Sequence, residues 1–432
     1  MNPGECRDYL GHLQRFGIKL GLDNIAILLE ALGDPQRAFP AVHVAGTNGK
    51  GSVSAMLELI LRNHGLRTGL FTSPHLVRIE ERIRVDGEKI APDEFRALLE
   101  RIKTTIDGLM ASGRLACHPT FFEVLTALAF LHFAGRRVDV AVLEVGLGGR
   151  FDATNVVRPL VSVITTIARD HEIHLGSSLR KIAFEKAGII KPGVPVVCGV
   201  ADGVALDEIR RLARGKKSPL VRVFGPGTAL EGRRTAGGFR FRYASGADEY
   251  AFRPGLAGRH QGANAAVAIA AAEVLNRTWR PLQKSKIIRG VREARWEGRL
   301  ETVCRRPLVI LDGAHNEEGA ESLAAHLRDV VGRPVILVFA AMKDKAVRKM
   351  AGRLFPRAKS VILTRVPLGR CALPADILSA AGEFRGKIRL EPDVAAAVRL
   401  ALDESRGRTP VVIAGSLYLV GEVKKLGLFA FG

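Results

Sequence analysis

Cysteine is scarce in this chain and its spacing pairs nothing. The five, Cys6, Cys117, Cys198, Cys304 and Cys371, are scattered, odd in number and without a C-x-x-C pair. That argues for free thiols in a reducing compartment and against a zinc site, and each is expected to be a small buried hydrophobe. Aromatics are also few, with two Trp and four Tyr. The basic residues are spread along the chain, without the interleaved aromatics of a base-stacking platform. The formal charge of +21 is therefore expected to attract anionic small molecules rather than nucleic acid. Long apolar runs are missing: 124–133 and 411–420 are too short or too interrupted to span a bilayer. Near the start stand Glu5, Arg7 and Asp8, with no apolar stretch of a secretory signal. The expectation is a cytoplasmic protein that engages neither membrane nor nucleic acid.

What is present is a globular composition, 47% hydrophobic and 25% charged, over 432 residues, too long for one ordinary core, so two domains are expected. The chain is organised around 42–52, where an apolar run ends in Gly46-Thr47-Asn48-Gly49-Lys50-Gly51-Ser52 and an amphipathic segment follows, 53–64. This is the layout of a phosphate-binding loop. A buried strand delivers a turn whose N–H groups face an anion, and a helix N-terminus adds its positive dipole end. Gly46, Gly49 and Gly51 permit close backbone approach; Lys50 can reach terminal phosphates and the Ser52 hydroxyl can hold magnesium. The strict pattern fails twice, since Val44 replaces its first Gly and Gly51 separates Lys50 from Ser52. The loop is thus of a variant kind.

Read in order, 8–32 has helical spacing broken by a glycine loop at 16–22. A strand at 69–72 ends at Ser73-Pro74-His75-Leu76, a hairpin with an Asp-Gly turn covers 83–90, and Pro92 opens a helix towards Met110. The helix at 121–133 is apolar nearly all round, which makes Glu123 odd: buried, it needs a partner, a metal or a protonated state, or else it faces water from the first turn. The apolar run 138–145 reads as a strand covered on both faces. It delivers Glu144 to a turn with Gly146, Gly148 and Gly149. Ligands in open α/β sheets lie beyond strand carboxyl ends, so Glu144 is placed to hold magnesium opposite the phosphate loop. A strand at 160–167 ends likewise at Asp170-His171, followed by a helix through 182–189. Beyond it, 194–260 reads as strand, helix, strand and a hairpin (239–243 and 249–253), and an Ala-rich helix covers 265–275. The pattern restarts after Glu297, with strands at 307–311, 335–340, 360–364, 387–390 and 411–414. The fold class is α/β: a P-loop-type, mostly parallel sheet domain over 1–297, then a smaller Rossmann-like α/β domain over 298–432.

Taken together, Gly46 to Ser52, Ser73-Pro74-His75-Leu76, Thr120 to Glu123, Glu144 to Asn155, Asp170-His171, Glu185-Lys186-Ala187-Gly188-Ile189, Gly258 to Asn264, Gly298-Arg299-Leu300-Glu301 and Asp312 to Asn316 resemble folylpolyglutamate synthase/dihydrofolate synthase of the Mur ligase superfamily. The resemblance implies ATP-dependent amide formation. A substrate carboxylate takes the γ-phosphoryl group of ATP to give an acyl phosphate, which the amine of L-glutamate displaces. The acceptor would be dihydropteroate, reduced folates or both, with the bifunctional enzyme favoured by Thr120-Phe121-Phe122-Glu123. Asn48, Gly49, Lys50, Gly51, Ser52, Asn264, Arg299 and Asp312 would contact ATP. Two magnesium ions would be held, one at Ser52 and one by Ser73, Glu144 and His171. Lys186 would be carbamylated, and Arg299 and His315 would complete the catalytic set of Lys50, His171 and Lys186 on domain closure. The pterin would lie near Thr120, Phe121, Phe122, Glu123, Phe151, Asp152 and Ala153, with the loop at 19–22 a weaker candidate. The resemblance also points to a monomer.

Glu297, Glu317 and Arg169 depart from the family pattern without touching a proposed ligand. Three other readings are distinguishable: a monofunctional folylpolyglutamate synthase; a Mur-type peptidoglycan precursor ligase, for whose nucleotide-binding N-terminal domain 1–41 is too short; and a nucleic-acid-dependent P-loop ATPase, motivated by the charge, whose binding would be steeply salt-dependent.

Overall fold

In a computed structural model of the protein, all residues are described except Arg15, Phe16, Ile18, Leu20, Ala236, Gly237, Ala247 and 430–432. The glycine loop expected at 16–22 thus lies partly outside the described residues. Strands β1 (Ala41–Ala45), β2 (Thr68–Phe71), β3 (Ile83–Val85), β4 (Glu88–Lys89), β5 (Val140–Glu144), β6 (Val161–Ile164), β7 (Val196–Cys198) and β8 (Leu220–Arg222) form one sheet in the order β4-β3-β2-β5-β1-β6-β7-β8. From β2 to β8 every neighbour is parallel, so helices must cover both faces. On one face Val42, Val44, Val140, Val142, Val161 and Val163 pack on Met56, Leu57 and Ile60 of the Lys50–Asn63 helix and on the Ala-rich His260–Thr278 helix. On the other, Ala41, Ala141 and Leu143 meet Leu125, Leu128 and Phe133 of the Phe121–Gly135 helix, with Phe95 and Leu99 of Pro92–Ala111 behind them. Small residues on β1 and β5 let that largely apolar helix approach closely. The carboxyl ends of β1, β2, β5 and β6 open on one edge, where the motifs lie.

Strands β9 (Ala229–Thr235), β10 (Gly238–Ala244) and β11 (Glu249–Phe252) form a separate antiparallel sheet in the order β11-β10-β9. The sequence predicts only the last two; β9, largely exposed and carrying Arg233 and Arg234, has no apolar run to announce it. The run Phe239-Arg240-Phe241-Arg242-Tyr243 corrects the expectation that aromatics and basic residues do not interleave. The pleat turns Phe241 and Tyr243 into the core and leaves Arg240 and Arg242 exposed, so the rings are not a free stacking surface.

The third sheet runs β12 (Glu301–Arg305), β13 (Leu308–Leu311), β17 (Val411–Ala414), β14 (Val335–Phe339), β15 (Ala358–Leu363) and β16 (Ile388–Leu390) in that spatial order. It is parallel except for β12, an antiparallel edge strand that the sequence pattern does not predict. Helices cover it on both faces. The cysteines are all free, but only Cys6, Cys198 and Cys371 are buried; Cys117 and Cys304 are partly exposed. Among the described residues, no helix is long and apolar enough to cross a membrane.

Candidate active site

β1 ends at Ala45 and the chain turns through Gly46 (φ 149°) and Gly49 (φ 84°) into the Lys50–Asn63 helix. Both glycines are required by position. A Cβ on Gly46 would fall 1.9 Å from Thr165 Oγ1, and one on Gly49 would fall 2.4 Å from Asn264 Oδ1. Thr165 and Thr166, just past β6, brace the loop. Thr165 Oγ1 donates to the Asn48 carbonyl at 2.6 Å, and Asn48 N donates to Thr166 Oγ1 at 3.0 Å. Lys50 folds back so that its ammonium donates to the carbonyls of Gly46 (3.1 Å) and Thr47 (3.3 Å). Burial pulls its pKa down, against the pull of Glu144 and Asp170. Ser52 is buried and accepts from Gln261 Nε2 at 3.3 Å. Gln261 Oε1 in turn accepts from Asn264 Nδ2 at 2.9 Å, so the start of the His260–Thr278 helix is tied to the loop.

Glu144 leaves the end of β5 with its carboxylate 4% exposed and one protein hydrogen bond, from the Ser73 backbone N–H at 3.3 Å. Burial raises its pKa while the charges of Lys50 and Arg299 lower it. A buried carboxylate with so few donors calls for a cation, and oxygen donors from Glu144, Ser73 and Ser52 around a phosphate loop suit magnesium, which keeps waters and substrate phosphates as further ligands. Among the described residues, no group of three or more His, Cys, Asp or Glu side chains that could hold a metal ion is found. His171 borders the same cleft, with its pKa pushed down to about 4 by burial, so its imidazole is neutral and able to coordinate at pH 7. Lys186, buried at the end of the Leu179–Lys186 helix, donates to the Gly46 carbonyl at 3.0 Å. Its pKa is pushed down to about 7 by burial and then by Lys50.

The other wall comes from the third sheet. Asp312, just past β13, is buried and accepts the N–H groups of Leu300 (2.8 Å) and Ala314 (2.9 Å), fixing the turn that carries His315. Burial raises its pKa against the charge of Arg299. His315 Nδ1 lies 2.8 Å from the Gly313 carbonyl, which leaves Nε2 towards Asp170 at 3.6 Å. Asn316 caps the Glu317–His326 helix and reaches back to Asn48 Oδ1 (3.0 Å) and Asp170 Oδ2 (3.3 Å). Lys345, in the turn after β14, donates to Asp170 Oδ1 at 2.6 Å. Thus Asp170 is gripped by three side chains from across the cleft. Burial would raise its pKa, but His315, His171 and Lys345 outweigh that and hold the carboxyl well below the usual range.

One cleft of about 300 Å³ is lined by Asn48, Gly49, Lys50, Gly51, Ser52, Ser73, Glu144, His171, Lys186, Asn264, Arg299, Asp312 and His315. The residues expected around a pterin are not among its lining. Thr120 and Glu123 form a capping box: the Glu123 carboxylate accepts from Thr120 N (2.7 Å) and Oγ1 (2.8 Å). Glu123 is therefore buried with a partner, not turned to water as the first-turn alternative had it. Asp152 takes N–H bonds from Leu147 (2.9 Å) and Thr154 (3.1 Å), so it staples the glycine turn after β5. Ala153 is buried core, and Phe122 lies under Gly146, where a Cβ would meet its ring at 2.6 Å. Phe121 and Phe151 stay partly exposed, facing the guanidinium groups of Arg82 (5.5 Å) and Arg150 (4.0 Å). In the weaker candidate loop, Lys19 Nζ lies 2.6 Å from Cys117 Sγ, and Leu20 is outside the described residues. Of the departures, Glu317 pairs with Lys349 and Glu297 with Lys424.

Gln261, Thr165, Thr166 and Lys345 were not singled out from the sequence. Lys345 and the two threonines each follow the carboxyl end of a strand, the signal that did find Glu144 and His171. Gln261 had its place in the segment 258–264 but no chemistry of its own to single it out.

Two family descriptions match the chain: Mur ligase middle domain over residues 44–272 and Mur ligase, glutamate ligase domain over residues 298–417. The dihydrofolate synthase/folylpolyglutamate synthase of Bacillus subtilis is 37% identical over 426 residues, covering 98% of each chain. The structure of Mycobacterium tuberculosis folylpolyglutamate synthase complexed with ADP superposes with a TM-score of 0.91 at 32% identity, over 97% of each chain. That of the Yersinia pestis bifunctional enzyme, complexed with AMPPNP and a Mn ion, does so at 0.85 and 31%, over 98% of each.

Proposed function

The chain belongs to the folylpolyglutamate synthase/dihydrofolate synthase family of Mur ligases, and from that membership we propose how its own residues perform ATP-dependent addition of L-glutamate to dihydropteroate and to reduced folates. Members of this family are ATP-dependent, ADP-forming carboxylate–amine ligases. The observation that carries the reading is the meeting of Lys50 on the phosphate loop, Glu144 and His171 at strand ends, and Arg299 and His315 from the opposite wall in one cleft.

The loop N–H groups and Lys50 hold the phosphates of ATP. Asn264, Arg299 and Asp312 receive the rest of the nucleotide. Ser52, Ser73, Glu144 and His171 would hold two magnesium ions, which supply charge neutralisation of the transferring phosphoryl group; the Mn ion in the Yersinia pestis relative supports a divalent metal. The acceptor carboxylate attacks the γ-phosphorus, the bond to ADP breaks, and Lys50 and Arg299 face the charge that spreads over the phosphoryl oxygens. The amine of L-glutamate then attacks the acyl phosphate, phosphate leaves, and the ammonium proton passes to a base, the role assigned here to His315. Residues 1–297 act as the ATP and pterin domain and 298–432 as the glutamate domain. Carbamylated Lys186 would present a carboxylate beside Gly46 and orient a metal. The pterin lies on the Phe121 and Phe151 side. The protein works as a monomer in the cytoplasm.

Phosphate release from Mg-ATP and L-glutamate tests this. Turnover with dihydropteroate and with tetrahydrofolate is expected; silence with both, in protein that binds ATP, would sink the folate assignment.

A further inference from the structure

One aromatic side chain stands between the phosphate loop and the chain's passage to the opposite wall. Trp296 precedes Arg299 by three residues, and the edge of its indole is seated on Gly51. A Cβ on Gly51 would fall 2.6 Å from Trp296 Nε1 and 3.2 Å from Cε2, and the three nearest atoms all belong to that ring. Gly46 and Gly49 have positive φ, but Gly51 does not. Its missing side chain therefore serves the contact with the indole and not a backbone turn. Arg84 of β3 holds the same ring, its guanidinium carbon 5.6 Å from the ring centroid. Trp296 also packs on the core of the first sheet, so it belongs to that body.

Two residues on, the chain belongs to the other body. The Gly298 carbonyl accepts the Gly313 N–H at 2.8 Å, and Gly298 N donates to Glu301 Oε2 at 2.7 Å. Gly298 is thereby fixed to β12 and the turn after β13. Gly298 and Leu300 both have positive φ, 68° and 48°, in the tight turn that presents Arg299 to the cleft. Glu297 alone separates the two anchors, and it is exposed. Gly51, Trp296, Glu297 and Arg299 line one small cavity of about 40 Å³ together with Ser73 and Glu144. A phosphate that draws in the loop N–H groups displaces Gly51. With no room between glycine and ring, close packing carries that displacement into the indole, and one residue later it reaches the turn of Arg299. Small shifts at a ligand site are amplified in this way when they cross a joint between two packed bodies.

We propose that Trp296 is a positioning residue that transmits occupancy of the phosphate loop across the Glu297–Gly298 joint to Arg299. Entry of Arg299 beside Lys50 is then conditional on bound nucleotide. For the part played by Arg299 this rests on the function proposed above; the link between loop and indole does not.

The chain has two tryptophans, and Trp279 caps the far end of the His260–Thr278 helix. In Trp279→Phe, Trp296 is the sole indole emitter. Its emission should shift with Mg-ADP and with a non-hydrolysable ATP analogue, in step with binding followed by calorimetry and without any acceptor present. Gly51→Ala should weaken Mg-ATP binding ~10-fold where the indole is present and much less in a Trp296→Leu background, as for residues in contact. Trp296→Leu alone should lower kcat about 10-fold, the scale of a coupling between two sites, with little change in the Kd for ATP because the loop and Lys50 are intact. Trp296→Phe, which keeps a ring on Gly51, should recover most of that loss. Emission that stays constant at saturating nucleotide overturns the proposal. So does a Gly51→Ala effect that is the same with and without the indole, a Trp296→Leu variant with wild-type kcat, or Leu and Phe variants that are equally slow. The emission experiment needs no substitution at Trp296 and decides the matter if Trp296→Leu does not fold. A wild type whose emission shifts with nucleotide but which turns over neither acceptor would instead strike the proposed function and leave the coupling standing.

Discussion

The side-chain nitrogens of Lys50 and Lys186 converge on one acceptor, the carbonyl oxygen of Gly46, at 3.1 and 3.0 Å. Two cations on one oxygen, with Lys186 buried, favour a neutral amine, and burial followed by Lys50 pushes the Lys186 pKa down to about 7. A neutral amine can add its lone pair to CO2, releasing one proton and leaving a carbamate that would pair with Lys50 instead of repelling it. Activity is expected to fall at least ~10-fold in CO2-depleted buffer and to return with bicarbonate, on the scale of losing one preorganised charge in a site. A carbamate carbon signal from labelled bicarbonate should appear in wild type and be absent in Lys186→Gln. Because the folded pKa is depressed, the unfolded chain binds the extra proton between about 7 and the ordinary lysine range. The amine is therefore available above pH 7, and the bicarbonate response should fade as pH falls below it. Full activity without bicarbonate would contradict this.

Gly49→Ala should weaken ATP binding by ~10-fold or more. Its φ of 84° and a Cβ 2.4 Å from Asn264 Oδ1 would open the loop or displace Asn264, with left-handed strain of roughly 1–2 kcal/mol added. Gly11→Ala, inside the Pro3–Gln14 helix with nothing within 4 Å of its Cβ, should instead raise the melting temperature slightly. Calorimetry of nucleotide binding and a thermal melt separate the two.

The parts of the fold legible in the sequence were those whose physics is local. Buried parallel strands read as apolar runs, and what followed their carboxyl ends, the phosphate loop, Glu144 and His171, lies in the cleft. What escaped was non-local. Strand β12 is mostly half-exposed and pairs antiparallel at a sheet edge, so no run marks it. Glu123 looked like a spare carboxylate because its partner is the backbone N–H of its own helix cap. Lys345 is remote in sequence from Asp170 and meets it only when both walls of the cleft are in place.

Lys345 and Asp170 form one of the contacts that join those walls, with side chains 7% and 8% exposed. Asp170→Asn should lower kcat by ~10- to 100-fold, more than it raises the Kd for ATP, because it removes one partner of a buried pair while the phosphate loop stays whole. Small-angle scattering should show a larger radius of gyration in the nucleotide-bound variant than in wild type. The Asp170 pKa is depressed in the folded protein, so the contact should persist from neutral pH down through the ordinary carboxylate range and fail only as pH falls through the folded value. A variant with wild-type kcat and compactness would show that the pair does not govern closure.

The central claim is that the cleft around Lys50 and Glu144 phosphorylates the acceptor's carboxylate before the amide forms. Dihydropteroate labelled with oxygen-18 in its carboxylate, turned over with Mg-ATP and L-glutamate, tests it most directly. One labelled oxygen should pass into each inorganic phosphate released, because the carboxylate oxygen that bonded to phosphorus leaves with it. Phosphate free of label would contradict an acyl phosphate and with it the assignment of these residues.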